Sequence, residues 1–454
     1  MRRQKRRRRY GDRILLGLLV LSFATAAAVV IWGRSPSVDV SAATTASPSR
    51  GPDKPPACQV KENRCGTVSV PEVGLVSYAV LPGTANRGLV LVEAGGPGGN
   101  ALAHGDRPSL GLPDSLKASD ILLVNEPWVG TTLDDACEAA LEGFVRHIVG
   151  GSAEPRPLCA VRTWTAQTYT AALHAILEQE HATLTGIVGQ SFGALPAAAA
   201  GGAYPAAWLL LNAPIAPADV TGAEVTRARV QNLNEAIDRS YTASCQAIGL
   251  DCARRGVDVL HELIDRAPDV AVAGRSQPIT RGDLAAAAFG AAYGLAENSR
   301  WLWTTFSRWP DVGTEVQQQV GRMADQVLTR YERGRVSPAM AGFVAGMCSS
   351  YAGWTDGPQV DATQPQALLV ATQRQCAAQA SAAPAWPAVR VQRTAMTCVA
   401  SNDRDPVVSR AWAQAWQRLM PGAHLATYTH DSHASTAIAA GLIRDSACVN
   451  LLTR

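Results

Sequence analysis

The chain has ten cysteines but no C-x-x-C pair, and no histidine stands close beside a cysteine. The spacings that hold structural zinc are therefore missing, and no metal site is expected. Its most glycine-rich loop lacks the Lys-Ser/Thr ending of a phosphate-cradling P-loop and the helix spacing of a dinucleotide loop. A dominant charge is missing as well: 41 basic and 38 acidic residues leave a formal net charge of +3. Nine of those basic residues and one of the acids fall in residues 1–34, so the remainder carries 32 basic against 37 acidic groups. A body so mildly acidic has no strong attraction to polyanions, and no nucleic-acid partner is expected. There is also no lipid-anchor cysteine near the front of the chain, where the first cysteine is Cys58.

What the front does have is a basic block followed by an apolar run. Arg2, Arg3, Lys5, Arg6, Arg7, Arg8, Arg9 and Arg13 stand against the single acid Asp12, and residues 14–32 carry no charge. At ~1.5 Å per residue that run is long enough, as a helix, to approach a hydrocarbon core of ~30 Å. Positive charge before it keeps the N-terminus cytoplasmic and sends the bulk of the chain outside. Residues 1–34 therefore read as a transmembrane anchor, with a cleaved signal peptide as the competing reading because Ala24-Thr25-Ala26 has the A-x-A form. The expected location is the cell membrane with an extracellular body, or secretion after cleavage. Residues 35–57, rich in Ser, Ala, Thr and Pro, read as a flexible stalk. An even cysteine count behind an export signal reads as disulfides. The sequence-local couples are Cys58 with Cys65, Cys137 with Cys159, Cys245 with Cys252 and Cys348 with Cys376, leaving Cys398 for Cys448.

In the body, short apolar runs at residues 76–81, 89–93, 121–125, 184–188, 208–212, 394–400 and 424–429 read as strands. Helical patterns at residues 166–180, 409–420 and 435–452 lie among them, which argues for an α/β fold with a mostly parallel sheet covered on both faces. Between Ala213 and about Pro387 the strand signal stops, and the pattern is helical. Residues 58–215 and 388–454 are thus expected to form the core, and residues 216–387 an inserted helical cap. Trp301, Trp303 and Trp309 cluster in that insertion; core packing is the plainer reading and a substrate-binding wall the alternative.

Gly189-Gln190-Ser191-Phe192-Gly193 carries the chemistry. An apolar β-branched run precedes it and a helix start follows, the strand–turn–helix context of a nucleophile elbow. In that arrangement the chain order is serine, then acid, then histidine. The acid is expected in Ser401-Asn402-Asp403-Arg404-Asp405-Pro406-Val407, with Asp405 favoured over Asp403. The histidine is expected after the last strand, with His433 favoured over His430, while His424 stands at the wrong end of its strand. A second oxyanion donor, beside the N–H of Phe192, falls to Glu93-Ala94-Gly95-Gly96-Pro97-Gly98-Gly99, where glycine lets backbone approach a substrate.

These motifs together resemble the prolyl iminopeptidase and tripeptidyl aminopeptidase group of α/β-hydrolases, nearest its secreted actinobacterial branch. The resemblance spans residues 58–454 and includes Cys348, Cys376 near Trp386-Pro387, Cys398 before the acid and Cys448-Val449 after the histidine. It implies an α/β-hydrolase fold with an inserted helical cap, Ser191, Asp405 and His433 as catalytic residues, and Gly96 with Phe192 as oxyanion donors. Two departures stand out: Ala94 where such families usually have a histidine or another standard lead-in, and Asn125-Glu126-Pro127-Trp128-Val129-Gly130 where they usually have Asp-x-Arg-Gly-x-Gly. Aminopeptidases of this type hold the substrate's amino terminus with cap carboxylates, for which Glu297 is the candidate here. The expectation is an exported serine hydrolase that removes residues or short peptides from a peptide N-terminus, without a cofactor. A carboxylesterase-like hydrolase acting on small esters and an inactive membrane-tethered hydrolase fold are the alternatives, and the oligomeric state is left open.

Overall fold

The computed structural model describes residues 56–433 except 86, 104, 107–109, 111, 151–157, 331–334, 380–383 and 387–395, together with 443, 445 and 448. The apolar run at 14–32 and nearly all of the helix expected over 435–452 lie outside these residues. Among the described residues no helix is long and apolar enough to cross a membrane.

Eight strands form one sheet: β1 (Arg64–Val70), β2 (Gly74–Leu81), β3 (Leu89–Glu93), β4 (Asp120–Val124), β5 (Leu184–Gln190), β6 (Trp208–Asn212), β7 (Met396–Asn402) and β8 (His424–Tyr428). Their order is β1-β2-β4-β3-β5-β6-β7-β8. β2 runs antiparallel to both β1 and β4, and every pairing from β4 through β3 to β8 is parallel. The central strands are buried along most or all of their length, as a sheet covered on both faces requires, and this is why they read as unbroken apolar runs. The sequence reading does not mark β1, whose residues are mostly exposed or half-exposed. As the edge strand it has one neighbour, β2, and too little burial to leave an apolar signature.

Helices α1 (Asp135–Gly150), α2 (Ala166–Gln179), α3 (Ala194–Ala203) and α11 (Arg410–Leu419) connect the strands. Between β6 and β7 come α4 (Gly222–Ser244), α5 (Gly256–Asp265), α6 (Arg281–Tyr293), α7 (Leu295–Ser307), α8 (Thr314–Val327), α9 (Pro338–Ser350) and α10 (Ala367–Ala378), with no strand among the described residues of that interval. These seven helices share an apolar cluster that includes Leu141 and Phe144 of α1. The helices between β6 and β7 therefore share part of their core with α1, and the described residues pack as one compact unit. Trp303 is fully buried there, its indole N–H donating to Ser240 Oγ at 2.9 Å. Trp309 donates to the Pro268 carbonyl, and Trp301 packs edge-on against Phe306.

All five expected cysteine couples are joined, with Cα–Cα distances from 4.8 to 5.8 Å, and no described cysteine is free. The mostly parallel sheet, the antiparallel second strand and the sharp turn from β5 into α3 make the expected α/β-hydrolase fold.

Candidate active site

β5 ends at Gln190, a single tight turn spans Ser191–Gly193, and α3 begins at Ala194. Ser191 has φ 53°, a left-handed conformation that a side-chain-bearing residue adopts at a cost. That backbone puts the hydroxyl at the tip of the turn, before the N-terminus of α3. Two glycines lock the turn to the loop after β3. A methyl group at Gly193 would lie 2.2 Å from the Glu93 carbonyl oxygen, and one at Gly95 would lie 2.4 Å from that of Gln190. Gly95 also adopts φ 88° and sits against Phe192 N and Ser191 Cβ. Gly96, the residue expected to donate to an oxyanion, follows at φ 134°.

β5, β7 and β8 are parallel, so the segments leaving their carboxyl ends emerge along one edge of the sheet. Asp405 lies just past β7 and His433 just past β8, and the structure brings them together. His433 Nδ1 is 2.9 and 3.0 Å from the two Asp405 carboxylate oxygens. Both side chains are buried. Asp405 Oδ1 also accepts from the backbone N–H groups of Val407 and Val408, each at 2.8 Å. The carboxylate so placed accepts from Nδ1–H and fixes that tautomer, leaving Nε2 of the imidazole free to act as a base. The competitors are placed elsewhere: Asp403 pairs with Arg410 on the surface, and His424 is exposed at the start of β8. His430 has its Nε2 3.9 Å from Glu297 and its Nδ1 buried without a partner.

Glu297 stands in the first turn of α7, where it accepts a hydrogen bond from Ser432 Oγ at 3.0 Å. It thus borders the histidine loop. The α6–α7 junction grips that loop at further points: His433 N donates to the Tyr293 carbonyl at 2.6 Å, and Ala296 N donates to Asp431 O at 3.0 Å. The Tyr293 ring meets the His433 imidazole edge-on at 5.5 Å.

Tyr293 and Asn402 are contributors that the sequence reading does not mark. Asn402, buried at the end of β7, donates through Nδ2 to the carbonyls of His430 and Ser432, both at 2.8 Å. Its Oδ1 accepts from His430 N. The acid-bearing and histidine-bearing segments are thereby stitched together. Asn402's sequence signal was present: a polar side chain at the end of an apolar strand needs a partner. Nothing in the sequence flags Tyr293, whose role depends on a helix junction meeting a loop about 140 residues away.

Behind the glycine loop, Glu93 and Glu126 line one cavity with Pro97, Phe192, Trp164 and Trp386. Burial pushes both carboxyls up to about 8; the charge of Glu126 adds to the effect at Glu93, while hydrogen bonds oppose it at each. Tyr169 donates its hydroxyl to Glu93. Glu126 accepts from Gly98 N at 3.0 Å and from Trp128 Nε1 at 2.9 Å. Its neighbour Asn125 accepts from Leu102 N and donates to Ser77 Oγ. The departing Asn125–Gly130 segment therefore holds the glycine loop in place with its own side chains.

Fold and site together define an α/β-hydrolase-fold protein with a strained serine at the elbow and a buried acid–histidine pair. No protein-family model matches the chain, and no curated protein matches it. Solved structures that resemble it do so distantly. One is a serine hydrolase from the polyaromatic-hydrocarbon-degrading bacterium Cycloclasticus zankles, at 11% identity, covering 86% of this chain and 97% of that one with a TM-score of 0.38. Another is an α/β-hydrolase fold protein from Nakamurella multipartita, at 15% identity, 86% and 99% coverage and a TM-score of 0.38. A third is an acetylester hydrolase from Corynebacterium glutamicum, at 15% identity, 86% and 94% coverage and a TM-score of 0.36. Likenesses this loose carry no argument about what the chain does.

Proposed function

We propose that the protein is an exported serine hydrolase of aminopeptidase type. The observation that carries the reading is the buried Asp405–His433 pair on the sheet edge where the Ser191 elbow emerges. In the reaction, His433 Nε2 takes the Ser191 hydroxyl proton as Oγ attacks the scissile carbonyl carbon. The N–H groups of Phe192 and Gly96 stabilise the developing oxyanion. His433 then passes its proton to the departing amine, leaving an acyl-enzyme that water hydrolyses by the same route. Asp405 holds the imidazole throughout. No step calls for a cofactor.

Peptide over ester is supported by Glu297, a carboxylate that borders the histidine loop through its hydrogen bond with Ser432 and has the charge sign that would pair with a substrate's ammonium terminus. Export is supported by the five disulfides and by the basic and apolar front of the sequence. The full-length protein is expected to hydrolyse aminoacyl-naphthylamides and to be labelled by a fluorophosphonate probe, and Ser191→Ala is expected to lose both. Hydrolysis by Ser191→Ala at the parent rate would overturn the reaction class. Equal rates on free and N-acylated peptides, or turnover of nitrophenyl esters alone, would replace aminopeptidase by esterase.

A further inference from the structure

Arg229 projects from α4 and is the one arginine or lysine of the fully buried interior among the described residues, at 6% exposure. Its Nη2 donates to the Tyr293 hydroxyl at 3.3 Å, and its Nε is buried with no acceptor. No carboxylate pairs with it among the described residues. The other inward-facing arginines are treated differently: Arg275 pairs with Asp325 at 2.6 Å, and Arg330 pairs with both Asp325 and Asp283. A guanidinium carries five N–H donors and cannot shed its charge. Burying it without an anion carries a desolvation penalty that nothing offsets. The fold leaves that charge uncompensated.

Its surroundings lie beside the reaction centre. Tyr293, the partner of Arg229, has its ring against His433. The charge of Arg229 also reaches Tyr351, whose hydroxyl is held un-ionised by burial while that charge pulls the other way. The Tyr351 hydroxyl donates to Ala216 O at 2.9 Å, and the preceding residue, Ile215, donates its N–H to Ser191 O at 3.0 Å. Arg229 is therefore bonded to a tyrosine that touches the histidine, and its charge reaches a tyrosine fastened to the segment beside the serine. Asp405 acts on Tyr293 only at longer range, and its own oxygens are taken up by His433, Val407 and Val408.

We propose that Arg229 receives a carboxylate of the substrate, so that the bond cleaved at Ser191 belongs to a short peptide bearing an anionic group near the scissile bond. The proposal rests on the hydrolase reading above. The carboxylate comes from the peptide's C-terminus or from an acidic side chain, and the two sources are separable.

The test uses the full-length protein and compares kcat/KM for Ala-Ala-Ala with its C-terminal amide, and for Ala-Glu-Ala-amide with Ala-Gln-Ala-amide. Hydrogen bonds to a charged group contribute about 1.5–3 kcal/mol, so the protein is expected to favour one acid of these pairs by about ten-fold or more. Which pair shows the preference identifies the source. In Arg229→Met the ratio is expected to fall towards one, and Arg229→Lys is expected to recover part of it. A ratio is independent of how much of a variant is folded, so a poorly folding variant still reports. Equal rates on acid and amide in the parent, or an acid preference unchanged in Arg229→Met, would overturn the assignment. Calorimetric titration of Ser191→Ala with the same peptides separates the two readings. Acid-selective binding without hydrolysis by the parent would sink the hydrolase and keep the carboxylate site; Ser191-dependent hydrolysis blind to the carboxylate would do the reverse.

Discussion

At the scale of single residues, Glu93 and Glu126 show how local surroundings set chemistry. Each is a carboxyl in a place that disfavours its charge, and each is pushed up to about 8 chiefly by burial. Unfolded, the same groups titrate near 4.5. Between those values the folded protein holds more protons than the unfolded chain, so stability falls as pH rises. The contribution is fully present below about 4.5 and gone above about 8, at roughly 1.4 kcal/mol for each unit separating the two states. Melting temperature is therefore expected to drop between pH 5 and pH 8.5. Glu126→Gln, which keeps an acceptor for Gly98 N and cannot ionise, is expected to flatten that drop. Equal slopes for parent and variant would mean that these carboxyls are not held protonated. Glu126 was visible in the sequence only as a departure from a motif; that its carboxylate braces the glycine loop depends on Gly98 lying 3.0 Å away.

At the scale of elements, the position of His433 depends on a loop fastened from two sides. Asn402 holds it to the end of β7 with three hydrogen bonds, and the α6–α7 junction grips it from the other side. Replacing Asn402 by alanine leaves the carbonyls of His430 and Ser432 without that donor. Each unsatisfied buried group costs about 1–3 kcal/mol. Asn402→Ala is expected to lower kcat about ten-fold or more with KM little changed, because the substrate still meets the same walls while the imidazole loses its fixed orientation. A parent-like kcat would show that the α6–α7 grip alone positions His433. α4 contributes to the same arrangement: Arg239 donates to the Arg404 carbonyl at 2.9 Å, and its Nε lies 3.5 Å from Asp431. The helices between β6 and β7 thus also support the segments that carry Asp405 and His433.

At the scale of the whole molecule, the Cys398–Cys448 bridge closes the longest loop of the five, with a sequence separation of 50. Both Asp405 and His433 fall inside that loop. The link constrains the unfolded chain most where the Asp405 and His433 segments lie, and removing such a bridge costs about 2–4 kcal/mol. The paired change of Cys398 and Cys448 to serine is expected to lower the melting temperature by several degrees and reduce activity in proportion to the unfolded fraction. The same change at Cys245 and Cys252, separated by seven residues, is expected to cost less. Equal losses would show that native contacts, rather than loop length, set the contribution.

Seven of the eight strands, the elbow and the five cysteine couples were legible in the sequence, each for a local reason. Buried strands leave apolar runs, tight turns demand glycine, and most of the bridged cysteines are near neighbours in the chain. β1 escaped because an edge strand buries too little to show. Chain order nominates Asp405 and His433, but that these two side chains meet, while Asp403 meets Arg410 and His430 lies near Glu297, is decided only by where each side chain lies. Tyr293, the Glu93–Glu126 cavity and unpaired Arg229 belong to the tertiary structure alone. Their meaning resides in contacts between segments far apart in the chain, and the charge of a side chain says nothing of its partner until the fold has supplied one or withheld it.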